Sequence, residues 1–195
     1  MALKNQYTTA DYIEWDVAMN LVRRLYRDGN YRMSLLIGCG CMFGLRFSDL
    51  SRLTWNQLLS EDTLVVYEQK TGKRREIHIN KGFQRHIQDC FRALGVTNKF
   101  EPCFICSSGG VITIQSVNRQ FKVIRDRYNL RVGNFSTHSL RKTFGRRVVE
   151  MAGADSEMAL IRLSELFRHS SPMVTRRYLG IRQQELGEVY ECLHF

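Results

Sequence analysis

Proline is scarce in this sequence, which has only Pro102 and Pro172 among 195 residues. Because proline interrupts helices, its scarcity leaves room for long helical segments. The sequence also lacks a secretory signal and any apolar run long enough to cross a membrane, which argues against secreted and membrane-spanning proteins. Acidic residues number only 19 against 29 lysines and arginines, and the formal net charge of +10 favours a polyanionic partner, with nucleic acid as the leading candidate. A generally basic surface would give the same excess, so charge alone does not identify the partner.

The six cysteines follow no complete metal-binding pattern. Cys103 and Cys106 form a CxxC pair, but no second CxxC or HxxxH supplies the other ligands of a zinc site. We therefore predict packed thiols in a reducing cytoplasm.

Apolar residues recur at helical spacing over much of the chain, so we predict one mainly α domain with a small antiparallel β-hairpin, an α+β fold. Residues 33–43 are apolar on nearly every side, which predicts a buried central helix that ends at Gly44. A first helix is predicted to begin after Thr8 or Thr9, to end near Gly29, and to bury a stripe of apolar residues. That stripe consists of Ile13, Val17, Leu21 and Leu25.

Residues 63–80 carry the pattern of a β-hairpin, two apolar segments on either side of the turn from Lys70 to Lys73. Helical spacing resumes at 83–94, and a short strand is predicted at 103–107. Gly109 and Gly110 mark a turn before a basic helix at about 116–128, and three or four helices are expected from Thr137 onward.

Arg46 lies in an apolar stretch, 43–47, where a cation needs an anionic or strongly polar partner. Asp49 and a bound phosphate both meet that need. Ser48 is a candidate cap for a short helix at 49–53, which would place Arg46 just before a helix N-terminus, a position suited to anions. From this residue alone, a structural ion pair with Asp49 is the favoured interpretation.

Two more residues form a candidate phosphate-binding pair. If Thr137 caps the following helix, His138 and Arg141 project from one of its faces. An imidazole beside a guanidinium suits the two nonbridging oxygens of a phosphodiester. A lone HxxR pair is common, and by itself it favours a surface pair.

A tyrosine follows on a predicted short helix. Ser171 as cap and Pro172 as first helical residue start this helix, which Gly180 can end. Tyr178 stands on it nine residues beyond His169, so the two side chains can face one pocket. By itself Tyr178 would be interpreted as a packed ring with a hydrated hydroxyl.

In sequence order, these segments resemble the signature of tyrosine recombinases, the phage-type integrase family. The resemblance covers essentially the whole chain and rests on Gly44-Leu45-Arg46-Phe47-Ser48-Asp49-Leu50, the Lys70 hairpin, His138-Ser139-Leu140-Arg141 and the stretch from His169 to Tyr178. It implies the catalytic-domain fold of DNA breaking-rejoining enzymes and site-specific recombination of DNA. The catalytic residues that it implies are Arg46, Lys70, His138, Arg141, His169 and Tyr178.

The resemblance also implies a role for each residue. Arg46 and Arg141 would bind nonbridging oxygens of the scissile phosphate. His138 and His169 would hydrogen-bond it or assist proton transfer. Lys70, with Lys73 as the alternative, would protonate the leaving 5′ oxygen, and Tyr178 would form a 3′-phosphotyrosyl bond. Asp49 would support the site, no metal, nucleotide or ATP is expected, and further DNA contacts are predicted at Lys73, Arg74, Arg119, Lys122, Arg176 and Arg177.

The chain differs from the usual family pattern at three places. Asp49 stands where glutamate is usual, Lys142 follows Arg141 where histidine is frequent, and Phe167-Arg168 precede His169 where leucine and glycine are usual. None of these differences removes a reacting group.

The resemblance implies a partner and an assembly. We expect duplex DNA as substrate, a homotetramer on DNA, a monomer or weak self-association without DNA, docking of residues 179–195 on a neighbouring protomer, and possible accessory DNA-bending proteins. A prokaryotic cytoplasm is expected, with nucleoid association on DNA. We expect residues 1–195 to form a single catalytic domain without the N-terminal core-binding domain that the family usually carries, either as an excised domain or as a chain similar to the short, one-domain DNA invertases.

The target site and the biological programme (integration, inversion, resolution or transposition of a mobile element) stay open at this stage. A type IB topoisomerase shares the chemistry, and a DNA-binding regulator without catalysis is the alternative from another class. A two-metal nuclease is disfavoured because Asp11, Glu14 and Asp16 have the spacing of a solvated helix face.

Overall fold

A computed structural model of the chain describes residues 10–70, 72–181 and 191. The secondary-structure elements in these ranges run in the following order: α1 (Trp15–Arg27), α2 (Tyr31–Phe43), α3 (Phe47–Leu50), α4 (Trp55–Leu58), β1 (Thr63–Tyr67), β2 (Arg74–His78), α5 (Lys81–Ala93), α6 (Ile114–Arg127), α7 (Thr137–Ala152), a 3-10 turn (Gly153–Asp155), α8 (Ser156–Phe167) and α9 (Pro172–Leu179). The mainly α prediction with one small hairpin is confirmed.

Helix α2 is the centre of the main core, as its apolar composition predicted. It packs against α1, α5 and α7, and it ends where Gly44 adopts a left-handed conformation with φ of 56°. A Cβ at Gly40 would lie 2.8 Å from Cβ of Leu140 on α7, so the missing side chain lets the two helices approach closely. This contact sets the distance between α2 and α7, the helix that carries His138 and Arg141.

The hairpin of β1 and β2 is antiparallel, with Thr63 opposite His78 and Val65 opposite Glu76. Its apolar face joins the main core through Leu64 and Ile77. The backbone N–H of Gln69, just after β1, donates to Asp49 Oδ1 at 3.0 Å. Asp49 therefore ties the turn of the hairpin to α3.

Helices α8 and α9 enclose a second, smaller core around Phe167 and Leu179. The Ser171 hydroxyl accepts from Val174 N–H at 3.3 Å, and Pro172 begins α9, which ends at Gly180 with φ of 75°. The predicted start and end of this helix are confirmed.

Several local predictions were wrong. Val17 is 44% exposed, because α1 turns Ala18 and Val22 toward the core in its place. Residues 103–107 form no strand but only an isolated bridge between Ile105 and Val111. Helix α1 begins at Trp15 with Glu14 as its N-cap, so the helix starts later than predicted and Ile13 lies before it. Thr8, Thr9 and Cys192 lie outside the described residues.

Two predicted caps were also wrong. Arg46, with extended backbone angles, is itself the N-cap of α3, and its carbonyl accepts from Asp49 N–H at 3.0 Å, so Ser48 lies inside the helix. Ser136 is the N-cap of α7, one residue before Thr137, and its N–H donates to the Ser139 hydroxyl at 3.0 Å.

Within the described ranges, no three histidine, cysteine, aspartate or glutamate side chains lie close enough together to hold a metal ion. Cys103 is fully buried, and burial raises its thiol pKa, so a packed thiol is confirmed there. Cys106 is only partly buried, so the packed-thiol prediction is wrong at that position. None of the described helices combines the length and apolar composition needed to cross a bilayer.

Candidate active site

An open cavity of about 830 Å³ lies between α3, the hairpin turn, α7 and the α8–α9 junction. All six predicted catalytic residues line it, although they are spread over more than 130 positions of the sequence. They are Arg46, Lys70, His138, Arg141, His169 and Tyr178. Arg52, Gln69 and Arg168, which were not predicted as site residues, line it as well.

The two arginines converge on one atom. Arg46 Nη2 and Arg141 Nη2 donate to the carbonyl oxygen of Phe167, at 2.9 and 3.2 Å. Arg141 also donates to Gly44 O at 2.5 Å, and its guanidinium lies over the Phe167 ring with Cζ 3.9 Å from the centroid. Two guanidinium groups that share one acceptor oxygen are spaced to share two oxygens of one phosphate.

The anionic partner of Arg46 is Glu68, not Asp49. Arg46 Nη1 lies 3.1 Å from Glu68 Oε2, and the Glu68 side chain is 3% exposed. The sequence interpretation chose the neighbour along the chain, whereas the hairpin brings in a carboxylate from 22 positions away. Asp49 is buried and accepts the backbone hydrogen bond of Gln69 instead, and its supporting role in the site stays a prediction.

Arg75 is a cation beside the site that sequence reasoning missed. Its Nη2 donates to Phe43 O at 2.6 Å, while its Nε and Nη1 are buried without a hydrogen-bond partner among the described residues. Burial lowers its pKa, and Glu68 opposes that shift. The period of two along β2 was the available signal, because Arg75 shares the inward face of the strand with Ile77.

Both site histidines favour the neutral form. Burial lowers the pKa of His138, and the charges of Arg141 and then Lys142 lower it further. For His169, burial acts first and Arg141 and then Arg46 add to it. His169 Nδ1 lies 2.9 Å from the Thr175 hydroxyl, which orients the ring. Neutral imidazoles can accept a proton at neutral pH.

Tyr178 lies in the same cavity as the arginines of its own chain. Its ring packs edge-on against His169, with centroids 5.2 Å apart, and Lys142 Nζ lies 5.3 Å from the ring centre. The hydroxyl is buried without a hydrogen-bond partner among the described residues. Burial raises the Tyr178 pKa, while Arg141 and Arg46 lower it. Because buried hydroxyls usually form a hydrogen bond, the Tyr178 hydroxyl is placed to interact with a ligand in the cavity.

The predicted lysines and peripheral cations differ in their placement. Lys70 is exposed and lines the cavity, whereas Lys73 is exposed and does not. Arg74 pairs with Glu76, and Arg176 lies 3.2 Å from Glu157. None of the six residues predicted to contact DNA lines the cavity. Their contacts with DNA stay predictions.

Comparison with known sequences gives a family match over most of the chain. Residues 17–185 match the model of the phage integrase family. Tyrosine recombinase XerC of Pelobacter propionicus is 30% identical over 154 residues, which cover 77% of this chain and 48% of XerC. The probable integrase/recombinase YoeC of Bacillus subtilis is 26% identical over 171 residues, covering 87% of this chain and 89% of YoeC. The chain thus spans about half of XerC and most of YoeC.

Solved structures show the same fold. XerA recombinase matches with a TM-score of 0.71 at 18% identity, covering 97% of this chain and 68% of that one. The Tn1549 transposon integrase in complex with transposon right end DNA matches with a TM-score of 0.70 at 15% identity, covering 96% and 68%. The predicted catalytic-domain fold of tyrosine recombinases is confirmed.

Proposed function

This chain belongs to the phage integrase family, and on that basis we propose that it is a site-specific recombinase that cuts and rejoins duplex DNA through a covalent bond to Tyr178. One observation carries the proposal: Arg46 and Arg141 donate to the same carbonyl oxygen, 2.9 and 3.2 Å away, in the cavity that Tyr178 also lines. The Phe167 carbonyl would hold both guanidinium groups in place until a phosphate takes over their hydrogen bonds.

Charge stabilisation by the arginines is the main catalytic contribution in this proposal. A phosphodiester gains negative charge on its nonbridging oxygens as the nucleophile approaches, and guanidinium groups already fixed in position stabilise that charge without reorganisation. The burial that holds Arg141 lowers its pKa to about 10, which leaves it charged at neutral pH. Such a site requires neither a metal ion nor ATP.

The nucleophile must lose a proton, and this step carries a cost. A phenol with an ordinary pKa of about 10 costs roughly 4 kcal/mol to ionise at pH 7, and burial of Tyr178 adds to that cost. We therefore assign the proton to a neutral imidazole, His138 or His169, during attack. The phenolate oxygen bonds to phosphorus, and the bond from phosphorus to the 5′ oxygen breaks.

Lys70 is the proposed acid for the leaving 5′ oxygen. It stands on the hairpin turn at the edge of the cavity, which Lys73 does not line. The product is a 3′-phosphotyrosyl bond and a free 5′ hydroxyl, and attack by the hydroxyl of another strand reverses each proton transfer. The ester of Tyr178 conserves the energy of the cut strand for rejoining.

The proposed partner is duplex DNA. Two solved relatives are XerH site-specific recombinase bound to its difH substrate and a lambda integrase dimer bound to a core site. We infer that this chain assembles as a tetramer on two DNA sites and acts in a bacterial cytoplasm on chromosomal or mobile-element DNA, with accessory DNA-bending proteins as optional partners. The chain that performs this reaction in the cell is expected to include residues 1–195 as its catalytic domain.

Trapping on nicked duplexes tests the proposal. The duplexes carry DNA that flanks the coding region, and a nick lets the short 5′-hydroxyl fragment diffuse away so that a covalent adduct accumulates. We expect an adduct with the wild-type chain and none with Tyr178→Phe, which should bind the same duplex with unchanged affinity. Equal trapping by both proteins contradicts the assignment.

Two further measurements sharpen the test. Affinity should fall about a thousandfold or more between roughly 50 and 200 mM salt if about six phosphates are contacted, and a flat response contradicts a basic DNA-binding face. Exchange of strands between two labelled duplexes is expected, whereas plasmid relaxation without exchange would identify a topoisomerase.

A further inference from the structure

Arg168 occupies a backbone conformation that suits glycine, not arginine. Its φ and ψ are 56° and 44°, in the left-handed region. Asn129, at φ of 51°, is the other non-glycine residue with positive φ in the described ranges. Asparagine tolerates that region through its short polar side chain, but arginine gains no such relief. A long cationic side chain is therefore held at a position where it weakens the fold.

The surrounding turn imposes this conformation. His169 N–H donates to Ser164 O at 2.9 Å, and Arg168 N–H donates to Glu165 O at 3.1 Å. This pair of hydrogen bonds ends α8 as a Schellman motif, whose left-handed position is most often glycine. The same turn directs the Phe167 carbonyl toward Arg46 and Arg141 and sets the start of the segment that carries His169. The turn requires the backbone angles at this position but not the guanidinium.

The guanidinium lies at the cavity and is available for a ligand. Arg168 is exposed and lines the same cavity as Arg46 and Tyr178. Within the ranges that the structure describes, no hydrogen bond or ion pair holds its side chain. By contrast, Arg46 and Arg141 donate hydrogen bonds to Phe167 O. Arg52, the other cavity arginine that the sequence did not predict, lies against Gln69. A cation without a protein partner beside a proposed phosphate site is placed to bind another phosphate.

We propose that Arg168 binds a DNA backbone phosphate at the mouth of the cavity, beside the phosphate that Arg46 and Arg141 receive. This inference rests on the proposed function, since it takes DNA as the ligand of the cavity. The left-handed strain is the cost of placing a cation there, because glycine would form the same turn without a charge. Arg168 is a binding residue in this scheme, and the chemical step remains with the six residues already assigned.

The test compares Arg168→Gly, Arg168→Lys and wild type on a short duplex of mixed sequence, with affinity measured by fluorescence anisotropy across a range of salt concentrations. Loss of one phosphate contact should reduce the slope of log affinity against log salt by about 0.9, which corresponds to roughly fivefold weaker binding at about 0.15 M salt. Arg168→Lys should keep a slope close to that of wild type. Asn129→Gly is the matched control, because it also places glycine at a left-handed position but lies outside the cavity, and it should leave the slope unchanged.

Thermal unfolding separates binding from folding. Arg168→Gly should unfold at the wild-type temperature or about 1–3 °C above it, because the strain is relieved. The proposal is overturned if Arg168→Gly keeps the wild-type slope, or if it unfolds at a clearly lower temperature, which would make the guanidinium structural. Covalent trapping is scored separately: loss of the adduct in wild type would refute the recombinase assignment, while the salt slopes would still decide whether Arg168 contacts DNA.

Discussion

Replacement of Glu68 by glutamine tests whether a buried carboxylate keeps Arg46 in position before DNA arrives. Glutamine has the same shape, so the change removes one charge and little volume. The Arg46 guanidinium would keep its hydrogen bond to Phe167 O but lose the anion 3.1 Å away. Arg75 and Arg141 add positive charge nearby, because Arg46 lowers the pKa of both and Glu68 raises it.

The expected loss of stability follows from the geometry. Two unit charges 3.1 Å apart attract by about 5 kcal/mol at an effective dielectric constant of 20. Breaking a buried pair costs about 3–5 kcal/mol, and the remaining bond and the 24% exposure of Arg46 reduce this. We expect Glu68→Gln to be destabilised by about 2–4 kcal/mol, which corresponds to a fall of roughly 5–15 °C in Tm.

DNA should restore part of that loss, because a phosphate replaces the missing negative charge. Thermal unfolding with and without duplex DNA measures this, and DNA should raise the Tm of Glu68→Gln by more than it raises that of wild type. Glu76→Gln is the matched control, because it removes another carboxylate from the same hairpin. The Glu76 carboxylate pairs with Arg74, but its side chain is 54% exposed. An exposed pair contributes about 0–1 kcal/mol. A wild-type Tm for Glu68→Gln, or equal stabilisation of all three proteins by DNA, would refute the reasoning.

Three further predictions follow from single contacts. Thr175→Val removes the 2.9 Å hydrogen bond to His169 Nδ1. It should slow adduct formation about tenfold and lower the free energy of unfolding by about 1 kcal/mol. Thr175→Ser should keep the wild-type rate and stability, and equal rates of adduct formation in the two variants would contradict this. Burial and the neighbouring arginines lower the pKa of His169 in the folded protein. The unfolded state therefore binds more protons, because its histidine keeps the ordinary pKa of about 6.5. The contribution of His169 to the free energy of unfolding is complete above that pH and is lost as the pH falls below it. The urea midpoint of the wild-type chain should drop between about pH 7.5 and 5.5, and that of His169→Asn should drop less steeply. The same dependence of the midpoint on pH in both proteins would argue against a lowered pKa of His169. Gly44→Ala should lower the free energy of unfolding by at least about 3 kcal/mol, because its Cβ would lie 2.7 Å from Phe144 Cγ at a left-handed φ. Gly29 also has a left-handed φ but has open space around it, so Gly29→Ala should lower the free energy of unfolding by only about 1 kcal/mol. The same urea denaturation assay measures both variants.

The sequence predicted most of the fold because its local signals agree with the packing. Residues 33–43 are apolar all round and form the buried α2, and the period of two at 63–80 forms the hairpin. Val17 fits the helical spacing but is exposed, because the buried face of α1 follows Ala18 and Val22. Among the residues that the structure describes, the short apolar run at 103–107 has no neighbouring strand to form a ladder with, and it makes one isolated bridge.

The site residues were predictable in type but not in their partners. The six predicted catalytic residues were chosen from their order in the sequence, and all of them line one cavity. Glu68 was missed because its pairing with Arg46 depends on how the hairpin folds back. The Phe167 carbonyl was missed because a backbone acceptor leaves no signature in residue type, and its direction depends on the left-handed turn at Arg168.

The central claim is that Tyr178 bonds to a phosphorus held by Arg46 and Arg141, and peptide mapping of the DNA adduct tests it most directly. Protease and nuclease digestion of the trapped complex, followed by mass spectrometry, should place a nucleotide on Tyr178 through its 3′ phosphate, and the adduct should be lost in Arg46→Ala and Arg141→Ala. A nucleotide on any other residue, or a linkage through a 5′ phosphate, would contradict the account.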